Sequence, residues 1–300
     1  MKTRHVRSLT EVALARCPLP DPGSDADKEA RGHVLVVAGS PEIPGAALLA
    51  GEAALRAGAG KLTIAAPEAI AQGLALAVPE SRVIGLPQTR SGGLTASALR
   101  SLTSLAPLVR AVVIGPGMQD RMSTARFVRA VLPAFAHATV TLDALATCAA
   151  SDGVFAQPVI LTPHAGEMAD LCCVTKEEVM ANPLDMVRRA AETWNACVVL
   201  KGAQTFIALP HHPVWRFDGG MPGLATSGSG DCLAGLIGGL SARGLPLDGA
   251  SAWGVLLHGR AGRALARRCG PLGYLARELA PEVPALMHAM GRRMPAVRPA

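Results

Sequence analysis

The sequence predicts an α/β domain in which helices cover both faces of a mainly parallel sheet with an antiparallel edge. Three observations predict this class. Apolar, β-prone runs alternate with helical segments along most of the 300 residues. These runs are continuously apolar instead of alternating with polar residues, which is typical of parallel strands covered on both faces. Later in the chain, three strand-like runs follow one another with short connections, which predicts the antiparallel edge.

The elements are predicted from short apolar runs for strands and from helical periodicity for helices. The first strands are expected at 33–39, 61–67, 82–87, 111–115, 139–144 and 158–162. Helices are expected at 45–59, 69–78, 96–106 and 124–136, and a further helix ends near Asn195. The later strands are VVLKG, TFIAL and VWRF, and helical patterns follow Gly230, Asp248 and Leu272.

The chain divides into two unequal parts. Residues 1–31 are predicted to form a short N-terminal helix and a flexible connection, because MKTRHVRSLTEVALARC is followed by the polar stretch DPGSDADKEARG. No linker or internal repeat follows, so residues 32–300 are predicted to be a single domain. The chain contains no apolar run of about 18 residues or more and no convincing signal peptide. Together with seven scattered cysteines and no C-x-x-C pair, this predicts a cytoplasmic protein with reduced thiols and no membrane segment.

The charge of the chain decides little about its partners. The net charge is +6 and the isoelectric point is near 9.2, which is compatible with nucleic-acid binding. The basic residues are dispersed, however, and the chain has one Tyr and three Trp available for base stacking. A mildly basic protein with a small anionic substrate fits these numbers at least as well, and we expect no nucleic-acid partner.

Polar and small residues cluster where the predicted strands end. These strand ends carry AGS (38–40), GPG (115–117), LDA (142–144), LTPHAGE (161–167) and LKGAQT (200–205). The opposite ends of the strands lack such residues. Because ligands of open α/β sheets bind beyond the carboxyl ends of the strands, the sequence predicts a ligand site at this edge.

One stretch, GLATSGSGDCLAGLIGGL at 223–240, predicts an anion site. From Cys232 onward its apolar residues follow the spacing of a helix face. The small residues before it let backbone N–H groups turn toward a ligand, and the helix N-terminus adds partial positive charge. Asp231 lies at this junction. Its other interpretation is a helix cap, a common role of Asp.

Four further side chains each allow a functional and a structural interpretation. Lys201 closes an apolar strand and either neutralises a phosphate or extends into solvent as an ordinary edge lysine. His164 either hydrogen-bonds a substrate or has a purely structural role. Asp143 either holds a water or metal or lies solvated in a loop, and His258 is expected to pack within a helix.

Several nucleotide and nucleophile motifs are absent from the sequence. It has no G-x-x-x-x-G-K-[ST] and therefore no P-loop. No G-x-G-x-x-G follows the first strand, so a Rossmann-type dehydrogenase is not supported. A G-x-S-x-G elbow is also missing.

Taken in order, the motifs resemble one family. HVLVVAGS with PGAALLAGEAALRAGAGKLTIAAPE, followed by VIGPGM, TLDALA, ILTPHAGEMADL, VVLKGAQTFIA and GLATSGSGDCLAG, are similar to the ADP- or ATP-dependent NAD(P)H-hydrate dehydratases of the ribokinase-like superfamily. The resemblance covers about residues 32–268. It implies a three-layer α/β/α ribokinase-like fold for a catalytic domain at 32–300. The length of the chain matches the stand-alone, ADP-using form without an epimerase domain.

The resemblance also implies a reaction and a set of site residues. The family phosphorylates the hydroxyl of hydrated NADH or NADPH with ADP or ATP, and loss of phosphate restores the double bond. Asp231 would be the catalytic base. The substrate would contact Ala46, Gly117, His164 and Asp231, and the nucleotide would contact Lys201, Gly202, Ala203, Gln204, Thr205 and Gly230. Magnesium is implied as a cofactor, with Glu167 as a possible partner through water, and family members are often homo-oligomers.

Two departures from the family pattern affect what the resemblance implies. The second carboxylate of the usual Asp-Ala-Asp is Leu145, and the Asn expected near the glycine loop is Met221. Neither change removes the base or the anion site. Two other functions stay open: a ribokinase-like kinase of a vitamin precursor or sugar, and a nucleotide-binding sensor without catalysis.

Overall fold

A computed structural model describes residues 6–21, 23 and 25–293 of the chain. Its strands are β1 Val6–Ser8, β2 His33–Val37, β3 Lys61–Pro67, β4 Ser81–Leu86, β5 Ala111–Ile114, β6 Thr139–Leu142, β7 Val159–Leu161, β8 Cys197–Leu200, β9 Thr205–Ala208 and β10 Val214–Phe217. Its α-helices are α1 Glu11–Leu14, α2 Gly45–Arg56, α3 Glu68–Ala77, α4 Leu99–Leu102, α5 Arg121–Val131, α6 Ala165–Cys172, α7 Lys176–Ala181, α8 Pro183–Trp194, α9 Ser229–Ala242, α10 Leu247–Cys269 and α11 Leu279–Arg293.

The ten strands of the described residues form a single sheet in the order β1-β10-β9-β8-β7-β6-β5-β2-β3-β4. Neighbouring strands are parallel except at the β8–β9 and β9–β10 pairs, so β9 alone runs against the others. All five residues of the central strand β2 are buried, as expected for a strand covered on both faces. The predicted mainly parallel α/β class, with antiparallel pairing toward one edge, is confirmed.

The strand at that edge, β1, is absent from the sequence prediction. Val6–Ser8 pairs in parallel with β10, and the amide of Leu9 extends the pairing by donating to the carbonyl of Arg216 at 2.8 Å. All three strand residues are exposed, so no apolar pattern marks them as a strand. The predicted N-terminal helix is present as one turn, α1, capped by the Thr10 hydroxyl. The division into 1–31 and 32–300 stays a prediction.

The segment predicted as one helix at 96–106 is broken into short pieces. A 3-10 turn at Ala96–Ala98 leads into the single turn α4, and a second 3-10 turn follows at Thr103–Leu105. The Thr103 hydroxyl donates to the carbonyls of Leu99 and Arg100. Such local side-chain bonds compete with the regular helix ladder, which explains the irregular path of a segment rich in Ser and Thr.

Two parallel helices, α2 and α9, bring their N-termini together at the carboxyl edge of the sheet. Their contact depends on glycine, because a Cβ at Gly235 would clash with the carbonyl of Ala50 and one at Gly239 with that of Ala54. The two contacts are one helical turn apart on both helices. Counting back four residues on each helix, the same register predicts that Asp231 lies beside Ala46.

No helix in the described ranges is long and apolar enough to cross a membrane. All seven cysteines are free, and Cys148, Cys197 and Cys232 are buried. Burial raises the pKa of the Cys197 and Cys232 thiols to about 12 each, because an apolar surrounding disfavours the thiolate. These thiols are therefore inert packing groups.

Candidate active site

The N-terminus of α9 presents free amides to the carboxyl edge of the sheet. The helix is preceded by Gly228 in the left-handed region at φ 87°, and no side chain caps it. Among the described residues, no backbone carbonyl accepts a hydrogen bond from the amides of Gly230 and Asp231. Unpaired amides at the positive end of a helix dipole are a ready anion site. Asp231 lies inside the first turn and does not cap the helix, so the cap interpretation is wrong.

The Asp231 carboxyl is harder to ionise than an ordinary aspartate. Its pKa is raised to about 6, first because burial disfavours the charged form and then because Asp143 and Glu167 add negative charge nearby. Lys201 opposes these effects. A carboxylate with a pKa close to neutrality is suited to accept a proton from a hydroxyl and release it again.

Lys201 lies at the centre of the site, directly after β8. Its Nζ lies 2.8 Å from Oδ1 of Asp143 and 3.9 Å from Oε2 of Glu167. Burial alone would lower the pKa of Lys201, but these carboxylates outweigh burial and raise it. A Cβ added at Gly230 would lie 3.4 Å from Nζ, so the charged ammonium sits directly against the first turn of α9.

Asp143 belongs to this site, although the sequence alone also allows a solvated loop residue. It follows β6 and is 2 % exposed, so the solvated-loop interpretation is wrong. The Thr162 hydroxyl donates to Oδ1 at 2.6 Å, and Lys201 binds the same oxygen. The Asp in LDA at a strand end was the available signal. Its burial depends on partners from β7 and β8, which sequence spacing does not reveal.

His164 has the structural role that the sequence allows, and its contact with a substrate stays a prediction. It caps α6, with Nδ1 accepting hydrogen bonds from the amides of Gly166 and Glu167, while Glu167 accepts from the His164 amide at 2.8 Å. Since Nδ1 is an acceptor, the ring proton sits on Nε2. The ring also lines the main cavity, so the capping bonds orient an Nε2–H donor at the cavity wall.

A cavity of about 650 Å³ extends from Lys201 and Gly230 between the loop after β8, the loop before α9 and one face of α10. Six of the predicted site residues line it: His164, Lys201, Gly202, Ala203, Thr205 and Gly230. Gln204 does not, and its amide instead donates to Asp218 at 2.9 Å. The far part of the cavity is apolar, with Leu224, Leu233 and Val255 in its wall.

Ala46 and Gly117 lie together, and neither they nor Asp231 lines this cavity. A Cβ at Gly117 would collide with the Cβ of Ala46 and the carbonyl of Ile43, and φ of Gly117 is +65°, so the close approach requires glycine. The shared register of α2 and α9 places Asp231 beside Ala46. Asp231 therefore stands between two regions, with the cavity on one side and the Ala46–Gly117 surface on the other.

His258 contributes more than the predicted helix packing. It lies within α10, yet its ring lines the cavity, and Nε2 lies 2.9 Å from the Ser229 hydroxyl and 3.0 Å from the Ser229 carbonyl. Burial lowers the pKa of His258 to about 4, so the ring is neutral near pH 7. It thereby ties α10 to the first residue of α9. Of the two residues that depart from the family pattern, Met221 lines the cavity and Leu145 does not.

No group of three or more His, Cys, Asp or Glu side chains that could hold a metal ion occurs in the described part of the chain. Oδ1 of Asp143 accepts hydrogen bonds from Lys201 and Thr162. The second oxygen of Glu167, Oε1, approaches Nε2 of His164 at 3.5 Å. This donor set suits magnesium carried on phosphate oxygens and waters, because Mg²⁺ commonly keeps several waters and needs one or two carboxylates.

The fold and the N-terminus of α9, which has no side-chain cap and lies against the Lys201 ammonium, define a ribokinase-like protein. A ribokinase-like protein of Enterococcus faecalis is similar in structure, with a TM-score of 0.84 over 98% of this chain and 99% of that one at 25% identity. Residues 34–285 match the sequence model of the NAD(P)H-hydrate dehydratases. The chain belongs to this family.

Named relatives place the chain more closely within the family. It is 46% identical to the ADP-dependent (S)-NAD(P)H-hydrate dehydratase of Xanthomonas campestris, over 96% of this chain and 98% of that protein. The ADP/ATP-dependent dehydratase of Bacillus subtilis, co-crystallised with ATP/Mg²⁺, has a TM-score of 0.79 at 30% identity and covers 97% of this chain and 99% of its own. The chain spans about half, 55%, of the bifunctional NAD(P)H-hydrate repair enzyme of Moorella thermoacetica, to which it is 38% identical over 95% of its own length.

Proposed function

We propose that this chain removes water from hydrated NADH and NADPH in a nucleotide-dependent reaction, with ADP as the preferred phosphoryl donor. The observation that carries the proposal is the position of Asp231. Its carboxyl, with a pKa raised to about 6, lies at the uncapped N-terminus of α9, between the large cavity and the Ala46–Gly117 surface. The names of the Xanthomonas and Bacillus relatives support the substrate and the donor.

The nucleotide is assigned to the large cavity. Its base lies toward the apolar wall, and its phosphates lie toward Lys201 and the free amides of α9. Lys201, Gly202, Ala203, Thr205 and Gly230 line this space, and Gln204 acts through the loop they form. Lys201 is held in place by Asp143, so its charge is positioned before the phosphates arrive.

The hydrated dinucleotide is assigned to the other side of Asp231, against Ala46 and Gly117. It would extend to the edge of the large cavity, where the His164 ring lies, and accept there from Nε2. Asp231 accepts the proton of the substrate hydroxyl, and the oxygen attacks the terminal phosphorus of the donor. The bond from that phosphorus to the bridging oxygen breaks, and the nucleotide leaves with one phosphate fewer. The amides of Gly230 and Asp231 and the Lys201 ammonium stabilise the transferring group. The carbon–oxygen bond then breaks, phosphate leaves with its electron pair, and loss of a proton from the neighbouring carbon forms the double bond.

Magnesium on the nucleotide would screen the charge of the phosphates. In this chain, Glu167 would hold a water of that ion through Oε1. Glu167 also fixes the His164 amide, so the same carboxylate would keep the α6 cap ordered.

The proposal is tested by absorbance at 340 nm with enzymatically hydrated NADH, magnesium and either ADP or ATP. We expect a rise in absorbance that depends on the nucleotide and is faster with ADP. The shortened nucleotide, AMP from ADP or ADP from ATP, and phosphate should appear in equal amounts, because each turnover transfers one phosphoryl group. Stable phosphorylated product without a rise would favour the small-molecule kinase. Nucleotide binding without any turnover would favour the sensor.

The rate should depend on pH through Asp231. Because its pKa is about 6, the carboxylate that accepts the proton is present above pH 6 and is lost below it. We therefore expect kcat/KM to fall by about tenfold per pH unit on the acid side of the profile. The measurement is the initial rate between pH 5 and 8 in buffers of constant ionic strength. A rate that stays flat down to pH 5 would contradict Asp231 as the base.

The cytoplasmic location and the homo-oligomeric state remain predictions from the sequence.

A further inference from the structure

A second cavity, of about 290 Å³, lies at the edge of the sheet that β1 completes. Its walls come from the end of β1, the end of β10 and the middle of α10. Three arginines, Arg216, Arg260 and Arg263, and a single carboxylate, Asp218, are among the lining side chains. With Glu11, which pairs with Arg260 from α1, the arginines exceed the nearby carboxylates by one. The predicted site residues include none of these groups.

The chain neutralises these arginines only in part. Arg216 pairs with Asp218 at 3.1 Å, and both side chains are partly exposed. Arg260 reaches Glu11 on α1 with Nη2 at 2.8 Å, while its buried Nε has no hydrogen-bond partner. Arg263 forms no ion pair with any residue that the structure describes. A half-buried guanidinium without a partner is costly unless an anion compensates for it.

The arginine cavity is separate from the large one. The Phe217 ring divides them, since Phe217 and Gly259 line both spaces. The ring fits because a Cβ at either Gly219 or Gly259 would collide with it. A ligand in the arginine cavity is thus shielded from the phosphate site at α9 by an aromatic side chain. The two sites can be occupied and tested independently.

We infer that this cavity binds a small molecule through a phosphate group. A phosphate group supplies the negative charge that Arg263 lacks and several acceptor oxygens, and guanidinium groups bind phosphate oxygens through paired N–H donors. Thr10 adds a hydroxyl whose oxygen already accepts from the Ala13 amide, which leaves its proton free to donate. A carboxylate would offer fewer acceptor oxygens to the three guanidinium groups. The inference does not depend on the reaction proposed above.

Residue-specific chemical protection tests this site. Phenylglyoxal modifies accessible arginines, and the rate at each position is read from peptide masses of the full-length protein. Inorganic phosphate should slow the modification of Arg263 and Arg216 roughly threefold or more, relative to sodium chloride of equal ionic strength, because occupancy shields the guanidinium groups. Arg267, exposed one turn further along α10, is the internal control and should not change. Equal modification of Arg263 in phosphate and in chloride would overturn the inference.

Matched variants locate the effect. Arg263→Gln should abolish the phosphate protection of Arg216, whereas Arg267→Gln should leave it intact. Protection of Arg216 that survives in Arg263→Gln would mean that phosphate acts elsewhere, which also overturns the inference. The phosphate protection measured on the unmodified protein does not depend on whether either variant folds. Loss of 340 nm turnover with intact protection would count against the proposed function alone.

Discussion

Asp231→Asn is expected to reduce the rate of dehydration by at least about 100-fold, because general-base catalysis is typically worth that much. Asn has nearly the same shape but cannot accept the proton of the substrate hydroxyl. The amides at the start of α9 belong to the backbone, so nucleotide affinity should change little. The measurements are kcat from the 340 nm assay and the nucleotide Kd from calorimetry. Turnover close to that of the unmodified chain would remove Asp231 as the base.

The same substitution should also stabilise the fold at neutral pH. The pKa of Asp231 is about 6 in the folded chain, above its ordinary value of 3.8, so the folded state favours the protonated carboxyl. Ionisation above pH 6 therefore destabilises the fold, and this cost disappears as the pH falls toward 4. The melting temperature of Asp231→Asn should be higher than that of the unmodified chain at pH 7, and the two melting temperatures should be equal at pH 4. A rise in stability with a loss of rate is the pattern of a functional residue.

Asp248→Asn provides the matched control. Asp248 lies in the first turn of α10, as Asp231 does in α9, but it is not among the carboxylates whose charge acts on Lys201. Its substitution should leave the rate and the acid side of the pH profile unchanged. An equal loss of rate in both variants would indicate a general effect of first-turn carboxylates on helix stability.

The parts of the fold that the sequence predicts are those with dense local signals. The strand β2 is a continuous apolar run and is buried along its whole length, so its prediction needed no tertiary information. β1 is three exposed residues whose only reason to be a strand is pairing with β10, a segment far away in the sequence. The continuous helix predicted at 96–106 is broken for a local reason, because the Thr103 hydroxyl competes for a helix carbonyl.

The candidate site divides in the same way. Asp231 and Gly230 were found because the small residues and the helix that follows lie in one stretch of sequence. The roles of Asp143 and His258 in the site cannot be predicted from the sequence, because their partners come from other elements. Asp143 accepts a hydrogen bond from Lys201, and His258 is hydrogen-bonded to Ser229. The arginine cavity could not be predicted at all, because it exists only once β1 has joined the sheet.

Lys201→Met is expected to weaken nucleotide binding and to destabilise the fold, for two different reasons. The ammonium lies against Gly230, where the phosphates are assigned, so its loss removes their main side-chain cation. It also leaves the Asp143 carboxylate, 2 % exposed, without a counter-charge. Breaking a buried ion pair from one side costs about 3–5 kcal/mol, which thermal or urea unfolding would register.

The double variant Lys201→Met with Asp143→Asn separates these two effects. The introduced amide can still accept the hydrogen bond of the Thr162 hydroxyl, and no buried charge remains, so most of the lost stability should return. The nucleotide Kd should stay as weak as in the single variant, because the cation is still missing. If stability and affinity recovered together, Lys201 would act only by holding the loop in place. If neither recovered, Asp143 would have a role in the site beyond orienting Lys201.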